Sequence, residues 1–209
     1  MYVIPAALIF LASCGGGTEN NALDDRLEDK EDFDAAAVSF ADGEATTGEQ
    51  YFFGVLAEVV KVDVKVLEID DLDEMDAELS IFNETLDSCL VLIKDTRKAL
   101  DLYKDKSWPK REKLHDLTNE WLSTVENIVN TYLRPLAPAM AKADEEWTDA
   151  DFDLYDKYVE ALDVYDEVDG RWVDFQFEFA KANGFELSET ETIDMDALVE
   201  EEMSNLESH

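Results

Sequence analysis

The 209 residues carry 52 Asp and Glu against 17 Lys and Arg, a net charge of −35, and 46% of them are hydrophobic. A field of that sign repels polyanions and excludes nucleic-acid binding, while the apolar content excludes a wholly disordered chain. Residues 1–46 hold 10 acids and 2 bases, 47–184 hold 33 and 15, and 185–209 hold 9 and none.

Val3 to Ala12 is a ten-residue apolar run with Pro5 inside it. A membrane-spanning helix needs ~20 such residues, so the length suits the hydrophobic core of a secretory signal. Leu11-Ala12-Ser13-Cys14 closes the run and Gly15-Gly16-Gly17 follows. In that order the segments resemble a bacterial lipoprotein signal, with residues 1–13 as signal peptide and Cys14 as the lipidated new N-terminus. No Lys or Arg precedes the run in place of the usual basic region, the pattern expected of a start truncated upstream of Met1. The resemblance implies export, several acyl chains on Cys14, and a place at the bacterial outer membrane or cell surface. Each acyl CH₂ buried adds ~0.8 kcal/mol, and more than one chain gives stable anchoring. Anionic headgroups are repelled by the net charge, so the lipidated Cys14 is expected to be the only membrane contact.

Residues 14–46 read as a flexible acidic linker. Asp24, Asp25, Glu28, Asp29, Glu31, Asp32 and Asp34 dominate it and apolar residues are aperiodic. Such a coil reaches roughly 30 Å. Residues 47–184 then carry four amphipathic patterns. The first, Phe52, Val55, Val59, Val62, Val66 and Ile69, has helical 3-4 spacing. Alternation of Val60, Val62, Val64 and Val66 competes as a strand. The second runs Leu72, Met75, Leu79, Phe82, Leu86, Cys89, Ile93, Thr96, Leu100, Tyr103, and predicts one helix of about 48 Å. The third runs Leu114, Leu117, Trp121, Val125, Ile128, Tyr132, Leu136, Met140, with a kink expected near 131–135 because of Pro135 and Pro138. The fourth starts at a capping box of Thr148 and Asp151. It follows Tyr155, Tyr158, Leu162, Tyr165, Val168, Trp172, Phe175 and Phe179, and stops at Asn183-Gly184. Residues 185–209 are an acidic tail in which Met195, Leu198, Val199, Met203 and Leu206 suit one short helix. Short connections make neighbours antiparallel, so the expected fold is all-α, an up-down-up-down four-helix bundle.

The ending Trp172-Val173-Asp174-Phe175-Gln176-Phe177-Glu178-Phe179-Ala180-Lys181-Ala182-Asn183-Gly184-Phe185 resembles the close of a family of bacterial helical surface lipoproteins of unknown function. The Phe-Gln-x-x-Phe-Ala-x-x-Asn-Gly-Phe pattern carries the likeness, and helix order agrees over nearly the whole chain. The resemblance implies an exported, lipid-anchored helical domain and offers no catalytic residues.

Chemistry is sparse. The chain has two His and, beyond Cys14, one Cys. Cys89 falls in an apolar seam, so no nucleophilic triad is expected. Glu112 and His115 have the spacing of a di-iron pair, but a second inward His is missing. Asp149, Asp151, Asp153 and Glu160 mimic calcium-loop positions, yet Leu154 stands where the turn needs Gly. No metal or cofactor is therefore assigned. If the helices alternate, two acidic runs meet at one tip: Asp70, Asp71 and Asp73 of the first hinge, and Asp144, Glu145, Glu146, Asp149 and Asp151 of the third loop. Carboxylates at helix starts are ordinary caps. The sharper reading is a site for a basic protein partner or a weakly held divalent cation. Trp172, Phe175, Phe177 and Phe179 form a candidate apolar face, read either as bundle core or as a ligand groove. Trp108 and Trp147 are expected to plug the bundle ends. The resulting expectation is a non-catalytic, lipid-anchored envelope module, with carriage of a small apolar ligand or divalent cation as the alternative.

Overall fold

The computed structural model describes residues 40–74, 78–142, 146–185 and 187, all-helical with no strand among them. Helix α1 spans Gly48–Glu74, α2 Leu79–Asp101 and α3 Arg111–Asn127. A π-helical segment, Ile128–Leu133, leads into α4, Arg134–Met140, and α5 spans Asp149–Asn183. No helix among the described residues is long and apolar enough to cross a membrane.

The Val-rich first pattern is a helix. Phe52, Val55, Val59, Val62 and Ile69 are buried, whereas Val60 and Val64 are only half so. Tertiary burial of a 3-4 stripe outweighs the weak helix propensity of Val. Helix α1 is longer than expected and takes Asp70, Asp71, Asp73 and Leu72 into its last turns. The second helix therefore begins at Leu79 and is 23 residues long instead of 32. A continuous heptad seam does not reveal the break, because α1 and α2 both continue its spacing. Within α2 the seam holds, with Phe82, Leu86, Cys89, Ile93, Thr96 and Leu100 buried.

The third pattern is relieved where the prolines require it. Pro135 lacks an N–H, and its ring would strike the carbonyl four residues back. The π-helical segment ends just before it, where the Arg134 N–H bonds Val129 O, five residues back. The wider turn lets α4 continue past both prolines. Helix α5 begins at the expected box: Thr148 N–H donates to Asp151 Oδ2 at 2.8 Å, and Asp151 N–H donates to Thr148 Oγ1 at 3.3 Å. It ends 35 residues later, about 52 Å along, at Gly184, whose φ of 81° is the left-handed stop.

The core extends beyond the expected boundaries of 47 and 184. Phe40 is fully buried and stacks on Tyr103 at 4.9 Å. The Tyr103 hydroxyl donates to Phe40 O at 2.8 Å and accepts from Ala45 N–H at 3.2 Å. Residues 40–46 thus belong to the folded unit: a buried aromatic and two hydrogen bonds offset the entropy of ordering them. A Cβ at Gly54 would run into the Phe40 side chain, so only Gly admits it. At the other boundary Phe185 packs on Phe52 and Phe179. Cys14, the remainder of the linker and the proposed tail helix of 195–206 lie outside the described residues.

Helix α1 packs chiefly on α2 and α3 chiefly on α5, while the π-helical segment lies on α5 and α4 on α2. Among the described residues, three ion pairs join one helix to another: Arg97–Glu126 at 2.5 Å, Arg134–Asp87 at 2.6 Å and Arg171–Glu120 at 2.8 Å. Each is largely exposed and contributes ~0–1 kcal/mol, so burial holds the helices together.

Candidate functional site

The expected acidic tip is only partly within view. Asp144 and Glu145 lie outside the described residues, as do the side chains of Asp70, Asp71 and Asp73. Glu146 and Asp149 are exposed and Asp151 is half-buried. Asp151 closes the helix cap, and the Thr148 backbone bond, followed by the hydroxyl bond, holds its carboxyl below the ordinary range. Among the described residues, no group of three or more His, Cys, Asp or Glu side chains is arranged to hold a metal ion.

The apolar face divides. Trp172, Phe175 and Phe179 are buried in the common core, while Phe177 is 39% exposed on the other side of α5. Trp172 is held by an Nε1–H bond of 3.0 Å to Thr118 Oγ1, and Phe179 packs on Phe52 at 5.9 Å. These three side chains are part of the common core. Trp108 lies on Tyr51 at 5.2 Å and Trp147 on Phe152 at 5.3 Å, each beside a helix terminus. Cys89 is fully buried, and burial pushes its thiol up to about 12. It is no thiolate at neutral pH and behaves as a small hydrophobe. His115 is half-buried on α3 beside Asp116 and Asn119.

A polar layer inside the bundle was not legible as a site. Asp63 of α1 is 2% exposed, and the Tyr165 hydroxyl of α5 donates to its Oδ1 at a long 3.4 Å. Tyr165 packs on Trp121 at 5.9 Å, and Trp121 Nε1–H donates to Asp169 Oδ1 at 2.9 Å. Burial, then the charges of Asp63 and Asp169, push the Tyr165 phenol well above its usual range. Burial raises Asp169 too, partly offset by the Trp121 bond, and burial followed by Asp163 raises Asp166. One signal for the layer was present in sequence, a lone acid at 63 among Val59, Val62 and Val66.

These shifts set a pH dependence. A raised carboxyl stabilises the fold fully below its ordinary value of 3.8 and loses that contribution as pH rises through the folded value. Lowering the pH from neutrality toward the ordinary Asp range should therefore raise the melting temperature at constant ionic strength. Asp151, Asp95 and Glu178 are shifted downward and oppose this only once the pH falls past the ordinary carboxylate range. Asp169→Asn should shrink the rise; an equal rise in this variant would remove Asp169 as its source.

A groove of about 400 Å³ lies between α3 with the π-helical segment and α5, lined by Glu120, Thr124, Asn127, Tyr132, Lys157 and Val164 among others. Its lining mixes both charge signs with hydroxyl and apolar groups. No protein-family model matches this chain, and neither a curated protein nor a solved structure does.

Proposed function

We propose that the chain is an exported, non-catalytic lipoprotein of the bacterial cell envelope, carried at the outer membrane or cell surface by acyl chains on Cys14. One observation carries this reading: a ten-residue apolar run ending in Leu11-Ala12-Ser13-Cys14, with Gly15-Gly16-Gly17 and an acidic tether behind it. The domain would serve as a binding or structural module. Its reactive groups support that, since Cys89 is withdrawn by burial and the His115 ring neighbours Asn119 and Asp116 alone among the described side chains within hydrogen-bonding reach.

The helices are read as an antiparallel up-down-up-down bundle. Supporting this, Asn183 Nδ2 donates to Pro109 O at 3.0 Å, Lys110 pairs with Glu178 at 2.6 Å, and Phe40, Tyr51, Tyr103 and Trp108 share one ring cluster. On this reading the starts of α1 and α3 and the ends of α2 and α5 share one end. The tether joins at Phe40, so that end faces the membrane.

Metabolic labelling with radioactive palmitate tests the anchor. Produced from its own gene in its native cells, the chain should take up label and fractionate with membranes. Cys14→Ser should abolish both. Label that survives Cys14→Ser, or a wild-type chain that never labels, would contradict the reading.

A further inference from the structure

Helix α1 carries a second apolar stripe besides the one that faces the core. Phe53, Ala57, Val60, Val64 and Leu67 repeat at spacings of four and three, on the side turned away from Phe52, Val55, Val59, Val62 and Ile69. Ala57 is buried and the other four are half-buried. Among the described residues, Phe53 alone of the five packs against the common core. Yet from Tyr51 to Ile69 only Lys61 is exposed on this helix. A helix that is apolar all round needs cover on every side, and α1 finds its described neighbours chiefly in α2.

The place where the described chain ends says what supplies that cover. Gly184 stops α5, Phe185 sets its ring against Phe53 at 6.0 Å, and Leu187 is half-buried. The chain therefore leaves the fold at the first residue of the stripe. Met195, Leu198, Val199, Met203 and Leu206 follow at helical spacing. We infer that residues 195–206 dock as an amphipathic helix on the stripe from Phe53 to Leu67. The lengths agree: the segment spans ~18 Å as a helix and the stripe ~21 Å, while the stretch between Leu187 and Met195 reaches ~23 Å when extended. The N-terminal chain is the poorer occupant. It enters through Phe40, which lies against Gly54 and stacks on Tyr103 just past the end of α2, and the apolar residues before it keep no helical period. Charge does not recruit the segment. It holds Asp196, Glu200, Glu201 and Glu202, while Lys61 and Lys65 of α1 are already paired with Glu58 and Glu68. Apolar burial carries the contact, and so short a helix forms in water only where it docks. The contact does not depend on Cys14.

Alkylation of an introduced thiol reads the cover. In the full chain with Cys14→Ser, Val64→Cys places a thiol on the stripe, and Cys89 stays silent because it is fully buried. Iodoacetamide should modify this thiol about ten-fold more slowly than one placed at exposed Asn130 by Asn130→Cys. Adding Val199→Asn and Met203→Asn should speed the Val64→Cys reaction about ten-fold and leave the Asn130→Cys reaction unchanged. Raising the salt concentration should not speed it, since the segment is held without ion pairs. Hydrogen exchange supplies the reciprocal measurement. Amides of 195–206 should exchange about ten-fold or more slowly than in an unstructured peptide, and Val60→Asn with Val64→Asn should remove that protection while the amides of α2 keep theirs. A Val64→Cys thiol as reactive as Asn130→Cys in the parent chain, or still slow after the tail substitutions, would overturn the docking. Protection that grows with protein concentration would also overturn it, and would assign the stripe to a second copy of the chain.

Discussion

Phe40→Ala should lower the unfolding free energy by about 3–5 kcal/mol, the range for deleting a fully buried aromatic. The ring has no solvent exposure and contacts Tyr51 at 5.8 Å as well as Tyr103. Its removal leaves a cavity against Gly54, where the close approach of the α1 backbone leaves nothing to collapse inward. It also loosens the carbonyl that accepts the Tyr103 hydroxyl, and a buried phenol left without its acceptor costs more. Urea denaturation followed by far-ultraviolet circular dichroism checks this. A loss below about 1 kcal/mol would mean that residues 40–46 are an appendage and the domain begins at α1.

Trp121→Ala should cost about as much, ~3–5 kcal/mol, for two reasons that a second variant separates. The side chain is 1% exposed and fills the space between α3 and α5, and its indole N–H is the described donor to Asp169. Removing that donor leaves a desolvated carboxylate with less compensation. Trp121→Phe keeps most of the packing and should cost about 1–3 kcal/mol at neutral pH. In an Asp169→Asn background the same change should cost less, because no buried charge is left behind. Equal costs in both backgrounds would show that the indole acts through packing alone.

The helices were legible because their seams are long. Phe82 through Leu100 keep the 3-4 rhythm and are buried accordingly. The same strength hid the first hinge: Leu72 fits the seam of α2 by spacing yet lies in α1, since periodicity records a face and not a chain break. The kink was legible from Pro135 and Pro138, but the π-helical solution was not, because a proline states what a turn must avoid and not how. Phe33, Val38 and Phe40 suggest at most one helical turn by spacing, and the burial of Phe40 depends on Tyr103, 63 residues away. Helical spacing already separates Phe177 from Trp172, Phe175 and Phe179, and Phe177 is the exposed one of the four.

In the proposed orientation the tether and the core entry at Phe40 lie at the membrane end, and the rest of the acidic domain is screened by solvent and salt. All of this depends on Cys14 being the mature N-terminus. Mass spectrometry of the protein extracted from its native membranes tests that directly. The N-terminal peptide should begin at Cys14 and carry a diacylglyceryl thioether. An unmodified Cys14 within a peptide that retains Leu11-Ala12-Ser13 would contradict it.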